Sequence, residues 1–197
     1  MSIRKKILSL LLLVFSFYIA ALFFTMKTFI LPTFHNLEKE EALKDINRVE
    51  RALERESVHL ERILHDWASW DDTVKFIETK SEEYIQSNLM DETFSNEKLN
   101  LIAYYSADGK QVWARLMDFE TSKPIEMPGW PPHYINPGDP LFPQPDQNGD
   151  LSKAHKSGIL MAGDTPIVIA SRPILDSQNR GPVMGTMVMG KLFQESY

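Results

Sequence analysis

The first hydrophobic pattern in the chain is an uncharged run, Ile7–Met26, long enough to cross a bilayer as a helix. Arg4, Lys5 and Lys6 precede it, and basic residues on that side favour a cytoplasmic N-terminus. A cleaved signal peptide has a similar pattern, but this run is long for one and no good A-x-A site follows it. We therefore predict that residues 1–31 are a cytoplasmic basic start and a transmembrane anchor.

The second pattern has a helical period and covers residues 32–66. From Phe34 to Asp66 there is neither Gly nor Pro, and nearly every residue is a good helix former. We predict a long amphipathic stalk helix. Its apolar face would be a seam shared with a second copy in a parallel homodimer, or it would pack on the chain's own domain. Apolar residues recur at spacings of three and four at Ala42, Ile46, Val49, Leu53, Leu60, Ile63 and Trp67.

Short helices are predicted after the stalk. Ser69 and Asp72 have the spacing of a capping box, with Ser69 as N-cap of a helix over 70–78. Ser-Glu-Glu opens another helix over 81–89, whereas the polar segment 91–98 is expected to be irregular.

The period then changes to that of strands and turns. Residues 118–157 hold eight of the chain's twelve prolines together with several aromatic residues, which predicts an ordered excursion without long helices or central strands. Consecutive strands joined by turns predict an antiparallel α+β domain over residues 67–197, with helices on one face of a five-stranded sheet and a hollow beneath them suited to a small molecule. The predicted strands are 99–106, 111–117, 158–162, 165–175 and 182–192.

Composition narrows the function. Residues 32–197 hold 17 Lys and Arg against 27 Asp and Glu, a net charge of −10 that argues against nucleic-acid binding. With no Cys, disulfides and thiolate metal sites are excluded. The histidines lack metal spacing, so no metal or other cofactor is expected. His65 could pair with Asp66 or Ser69 in a hydrolase, but no oxyanion hole or nucleophile motif accompanies them, so no enzyme activity is predicted.

Several motifs together resemble the fourth class of the CHASE family of extracytoplasmic sensor domains, over about residues 41–191. The family usually has an aromatic residue at the position of Val74, so no ring contact is expected there. The resemblance implies a PAS- and Cache-like fold, lying between two membrane spans and feeding histidine kinases, chemotaxis-type receptors or cyclic-di-GMP enzymes of GGDEF and EAL type. The matching motifs are Asp66–Thr73 with Phe76, Tyr84–Leu89, Leu99–Ile102 leading into Asp108–Gly109, Ser171–Ile174 and Gly185–Gly190.

Five residues are predicted to bind the ligand: Trp67, Trp70, Asp71, Tyr104 and Arg172. A tryptophan presents a broad apolar face and one N–H donor, and arginine binds carboxylate or phosphate through two parallel hydrogen bonds. The alternative is that both tryptophans belong to the core and that the arginine forms an ion pair.

These inferences predict the sensory input domain of a protein in the bacterial cytoplasmic membrane, with residues 32–197 facing the periplasm or the cell exterior. The expected partners are a small-molecule ligand, the membrane and a second copy of the chain. Because the chain stops close to its last strand, we expect a second span and an output domain to follow. The alternative is a single-pass envelope protein with a structural or protein-interaction role.

Overall fold

The computed structural model describes residues 3–146 and 149–193, which form two compact units with their boundary between Ala52 and Leu53. In the first unit, helix α1 (Ile3–Thr25) is followed by a π-helical turn (Met26–Ile30) and by the start of helix α2 (Leu31–Ala68). The apolar side chains of α1 are exposed along its whole length. Within the described residues this is the helix long and apolar enough to span a membrane, although an N-terminal signal sequence would meet the same criteria.

The α2 segment of the first unit carries exposed apolar residues among its charges. Ile46 and Val49 are 62% and 53% exposed. In the second unit the same apolar face of α2 packs on its own domain, because Leu60 and Ile63 are buried in the core of that domain. Packing on its own domain therefore explains the C-terminal half of the apolar pattern in α2.

Three short helices follow: α3 (Asp71–Thr79), α4 (Glu82–Asn88) and α5 (Asp91–Glu97). The start of α4 is confirmed, since the Ser81 side chain accepts a hydrogen bond from the Tyr84 backbone N–H. The prediction of irregular structure over 91–98 was wrong. The polar sequence contains Phe94, which is fully buried. Its packing in the core stabilises the segment as a helix.

The sheet is antiparallel throughout, with strand order β3-β2-β1-β6-β5-β4. The prediction of five strands was wrong: the structure describes six, because two residues after a turn at Asp118 return to pair with the end of β2. Pro124 is tolerated there because the strand lies at the sheet edge. The strands are β1 (Leu101–Ser106), β2 (Gln111–Asp118), β3 (Lys123–Pro124), β4 (Lys156–Ala162), β5 (Thr165–Ile174) and β6 (Gly185–Leu192).

Both faces of the sheet are covered, so the apolar run in β1 is buried throughout. Ile102 and Tyr104 face the core beneath the helices. Leu101, Ala103 and Tyr105 face a second core, as expected from the alternation of side chains along a strand.

The Pro-rich excursion supplies the cover of the second core, notably through Ile135 and Leu141. It is fastened to the β1–β2 turn by Gly109, which accepts a hydrogen bond from the Ile135 N–H at 2.9 Å. Gly109 has φ +83°, and a Cβ there would lie 2.0 Å from the Ile135 carbonyl oxygen. Only glycine permits both the left-handed turn and this close approach.

Candidate functional site

The tryptophan–aspartate motif forms the corner between α2 and α3. Helix α2 ends at Ala68, Trp70 is extended, and α3 begins at Asp71. The predicted capping box was wrong: Trp70 is the N-cap residue and makes no side-chain capping bond. The Ser69 hydroxyl instead donates to Asn179 Oδ1 at 2.7 Å, because the loop between β5 and β6 packs against this corner.

Asp71 fastens the same loop. Its carboxylate accepts hydrogen bonds from the Ser177 backbone N–H at 2.9 Å and from the Ser177 hydroxyl at 3.0 Å. These bonds hold the pKa of the Asp71 carboxyl below its usual value, because they favour the ionised form. Leu175 N–H adds a bond to the Ala68 carbonyl at 3.0 Å. The polar half of the motif thus ties the helical corner to the β5–β6 loop.

The two tryptophans of the motif have different surroundings. Trp67 is partly buried and packs against the core beneath the helices. Trp70 is 38% exposed, and its ring centroid lies 6.1 Å from that of Tyr84. Trp70 therefore lies at the rim of the core, with part of its indole available to solvent.

Beneath Trp70 lies an aromatic cluster of Phe76, Tyr84 and Tyr104. Phe76 stacks on Tyr84 with centroids 4.4 Å apart and meets Tyr104 edge-on at 5.2 Å. A chain of hydroxyls connects Thr73 to Tyr84 at 2.8 Å and Tyr84 to Tyr104 at 3.3 Å. Burial raises the pKa of both tyrosines, because it disfavours the charged phenolate. Tyr104 is fully buried in this cluster.

Arg172 lies on the same face of the sheet as Tyr104. Met187 is the cross-strand partner of both residues, which puts the three side chains in one row. Two strand spacings separate Arg172 from Tyr104, roughly 10 Å. Of the five predicted residues, Trp70 and Tyr104 therefore meet around Tyr84, whereas Asp71 faces the loop and Arg172 faces a different partner, helix α2.

Arg172 and α2 line a cavity of about 320 Å³. Among its residues is His65, whose pKa is lowered by burial and by the positive charge of Arg172. Sequence reasoning considered His65 only as a hydrolase residue and did not place Glu61 or Arg62 in a site. The available signal was their spacing, since residues 61, 62 and 65 lie within one helical turn and present polar groups beside the apolar face.

Among the described residues, no group of three or more His, Asp or Glu side chains is arranged to hold a metal ion.

The comparisons agree with this architecture. The CHASE4 domain family matches residues 52–197, the whole second unit with one residue before it. The chain belongs to the CHASE4 family. CHASE4 is a sensory rather than a catalytic domain, and the resemblance seen in the sequence is confirmed.

Individual relatives of this CHASE4 chain are distant. The methanogenesis regulatory histidine kinase FilI of Methanothrix harundinacea (strain 6Ac) is 26% identical over 159 residues, 81% of this chain. The chain spans only 17% of the length of that kinase.

The fold also occurs in a solved structure. The extracellular domain of vpHK1S-Z8, a protein described as a histidine kinase, has a TM-score of 0.53 and 17% identity, over 80% of this chain and 60% of that one. A domain of a sensory box/GGDEF family protein from Vibrio parahaemolyticus has a TM-score of 0.48 and 14% identity, over 78% of this chain and 59% of that one.

Proposed function

We propose that this chain is the extracytoplasmic signal-input part of a membrane-bound signalling protein. The observation that carries the proposal is the CHASE4 match over residues 52–197, because this domain is sensory. Helix α1 supports a membrane anchor, since its apolar side chains are exposed along its length. The basic residues before the uncharged run favour keeping the N-terminus in the cytoplasm and the sensor outside.

The output is a cytoplasmic domain of the same protein, and a histidine kinase is the class we favour over a chemotaxis-type receptor or a GGDEF or EAL enzyme. FilI supports this choice: it is a histidine kinase, and this chain spans only 17% of it. The remaining length of that relative is ample for an output domain.

Helix α2 is the element through which occupancy of the sensor would be transmitted. Leu60, Leu64 and Ala68 are buried in the core of the sensor unit. Lys191 Nζ on β6 lies 3.0 Å from the Glu56 carboxylate on the same helix. A ligand that changed the packing between helix and sheet would therefore shift α2, and packed interfaces can switch between discrete arrangements.

In a homodimer through the N-terminal half of α2, a shift of one helix would be passed to the same helix of the second copy. The exposed apolar residues Ile46 and Val49 support it. Because the chain has no native Cys, single cysteines report cleanly. In the membrane-embedded protein, Val49→Cys should form an interprotomer disulfide under mild oxidation, whereas Arg51→Cys should not. Equal crosslinking at both positions, or none at either, would refute the seam.

Topology is the decisive test of the proposed function. An alkaline phosphatase reporter, active only in the periplasm, should be active when fused after Tyr197, and a cytoplasm-dependent fluorescent reporter at the same position should be dark. The reverse pattern would refute the extracytoplasmic assignment. Removing the basic charge of Arg4, Lys5 and Lys6 is the matched control and should lower the phosphatase signal.

A further inference from the structure

No residue of the tryptophan–aspartate motif lines the cavity between α2 and β5, although His65 in its lining lies 3.4 Å from the Ser69 hydroxyl of the motif. The volume of the cavity, about 320 Å³, is at the small end of the range for ligand sites. Its lining residues are Val58, Glu61, Arg62, Leu64, His65, His155, Ser171 and Arg172.

The charged side chains of this cavity are mostly basic. Arg62 and Arg172 carry permanent positive charge, and the imidazoles of His65 and His155 add donors. Glu61 is the carboxylate in the lining: its Oε1 accepts a hydrogen bond from the Ser157 hydroxyl, and its negative charge opposes the lowering of the Arg172 pKa by burial. Two arginines against one carboxylate give the lining a positive local charge, which favours anions over cations.

Arg172 has unused hydrogen-bonding capacity at this point. Its Nε is buried and has no hydrogen-bond partner among the described residues, and no carboxylate there lies within salt-bridge distance of its guanidinium. A buried N–H donor without a hydrogen-bond partner is unfavourable, and the guanidinium of Arg172 keeps its charge. An anion binding in the cavity would remove this penalty.

We propose that this cavity binds a small organic carboxylate, with Arg172 as its principal partner. The planar fork of Arg172 matches the two oxygens of a carboxylate. Arg62 contributes further positive charge from α2 and His65 contributes an imidazole N–H donor, while Val58 and Leu64 contact a short apolar body. This inference rests on the proposed sensory function and specifies the ligand class.

A ligand in this cavity would contact both the sheet and helix α2. Its basic groups lie on both sides, Arg172 on β5 and Arg62 and His65 on α2. A carboxylate held by both sides would strengthen the attachment of α2 to the sheet beside the existing Glu61–Ser157 bond.

The test is a thermal-shift series on the full 197-residue chain in detergent. The probes are acetate, propionate, pyruvate, succinate and malate, each at up to about 10 mM, with sodium chloride matching the ionic strength and inorganic phosphate as a second anion. We expect saturable stabilisation by at least one carboxylate, and about tenfold weaker apparent affinity in Arg172→Gln. Arg180→Gln is the matched control, because Arg180 is exposed on the β5–β6 loop and should leave the affinity unchanged.

Three outcomes decide against the proposal. It is overturned if no carboxylate stabilises the protein, if phosphate stabilises it and carboxylates do not, or if Arg172→Gln binds as tightly as the parent chain. Should Arg172→Gln fail to fold, Arg62→Gln and His65→Gln decide, with at least about threefold weaker binding expected in each. The reporter fusions test topology independently. If the sensor faces outward but binds no carboxylate, only this inference is refuted. If the domain faces inward, the proposed function is refuted and the binding result still holds.

Discussion

Tyr84→Phe is the most informative single change in the core, because it deletes the middle of a three-member hydroxyl chain. Tyr84 OH lies 2.8 Å from Thr73 Oγ1 and 3.3 Å from Tyr104 OH. Thr73 and Tyr104 are fully buried, and Tyr84 is 5% exposed. Removing the central hydroxyl leaves two buried hydroxyls without these partners.

The magnitude follows from counting unpaired groups. Each buried polar group left unsatisfied costs about 1–3 kcal/mol, and local relaxation offsets part of that cost, so we expect Tyr84→Phe to lower the free energy of unfolding by about 2–3 kcal/mol. Tyr104→Phe removes only the end of the chain and leaves the Thr73–Tyr84 bond intact, so it should cost below about 1 kcal/mol. For a domain of this size the central change corresponds to a melting temperature lower by roughly 6–12 °C.

The assay is thermal unfolding of the full chain in detergent, followed by far-ultraviolet circular dichroism and by tryptophan fluorescence. The double variant Tyr84→Phe/Tyr104→Phe leaves only the Thr73 hydroxyl unpaired, and so it should be no less stable than Tyr84→Phe alone. If Tyr84→Phe costs no more than Tyr104→Phe, or if the two changes are additive, the hydroxyl chain does not act as described.

Three further predictions concern the surface and the response to pH. Lys80 ends α3 in the left-handed region at φ 52°, so Lys80→Gly should raise the stability by about 0.5–1 kcal/mol in thermal melts, whereas Lys75→Gly within the helix should lower it by about 1 kcal/mol; equal effects would contradict this. Asp71→Ala should increase the amide hydrogen exchange of Ser177, which donates to the Asp71 carboxylate, while unchanged protection would show that the loop is held otherwise. Because burial raises the tyrosine pKa values of the aromatic cluster above the usual 10.0, the stability they contribute should be fully present below about pH 10 and fall above it; melts between about pH 8 and 11 that show no such fall would refute the burial.

Local sequence signals predicted most of the elements. Ser81 lies at a true helix start. The strand pairs around Gly109 and Gly163 are present, because turn residues act through their own backbone conformations. The helix over 91–97 was not predicted from the sequence. It depends on the burial of Phe94, and the Arg115 guanidinium lies 5.7 Å from the Phe94 ring centroid in a cation–π contact. Such contacts join residues that are far apart in the sequence, so they produce no periodic pattern within the segment itself.

The same distinction between local sequence signals and long-range contacts applies to the candidate site. From the sequence, Arg172 was predicted to bind a carboxylate or phosphate, because guanidinium chemistry is a property of the residue itself, and this stays a prediction. The sequence also grouped Arg172 with Tyr104, and the strand register does put both on one face through Met187.

By itself, then, the sequence determined the family resemblance and most helix and strand positions, since these depend on residue type and on short spacings. The tertiary structure alone decided that β6 lies between β1 and β5, that the Pro-rich segment covers the second face, and that Arg172 meets His65 rather than the tryptophans. These are outcomes of long-range packing, in which the free energy of burying whole faces selects the partners.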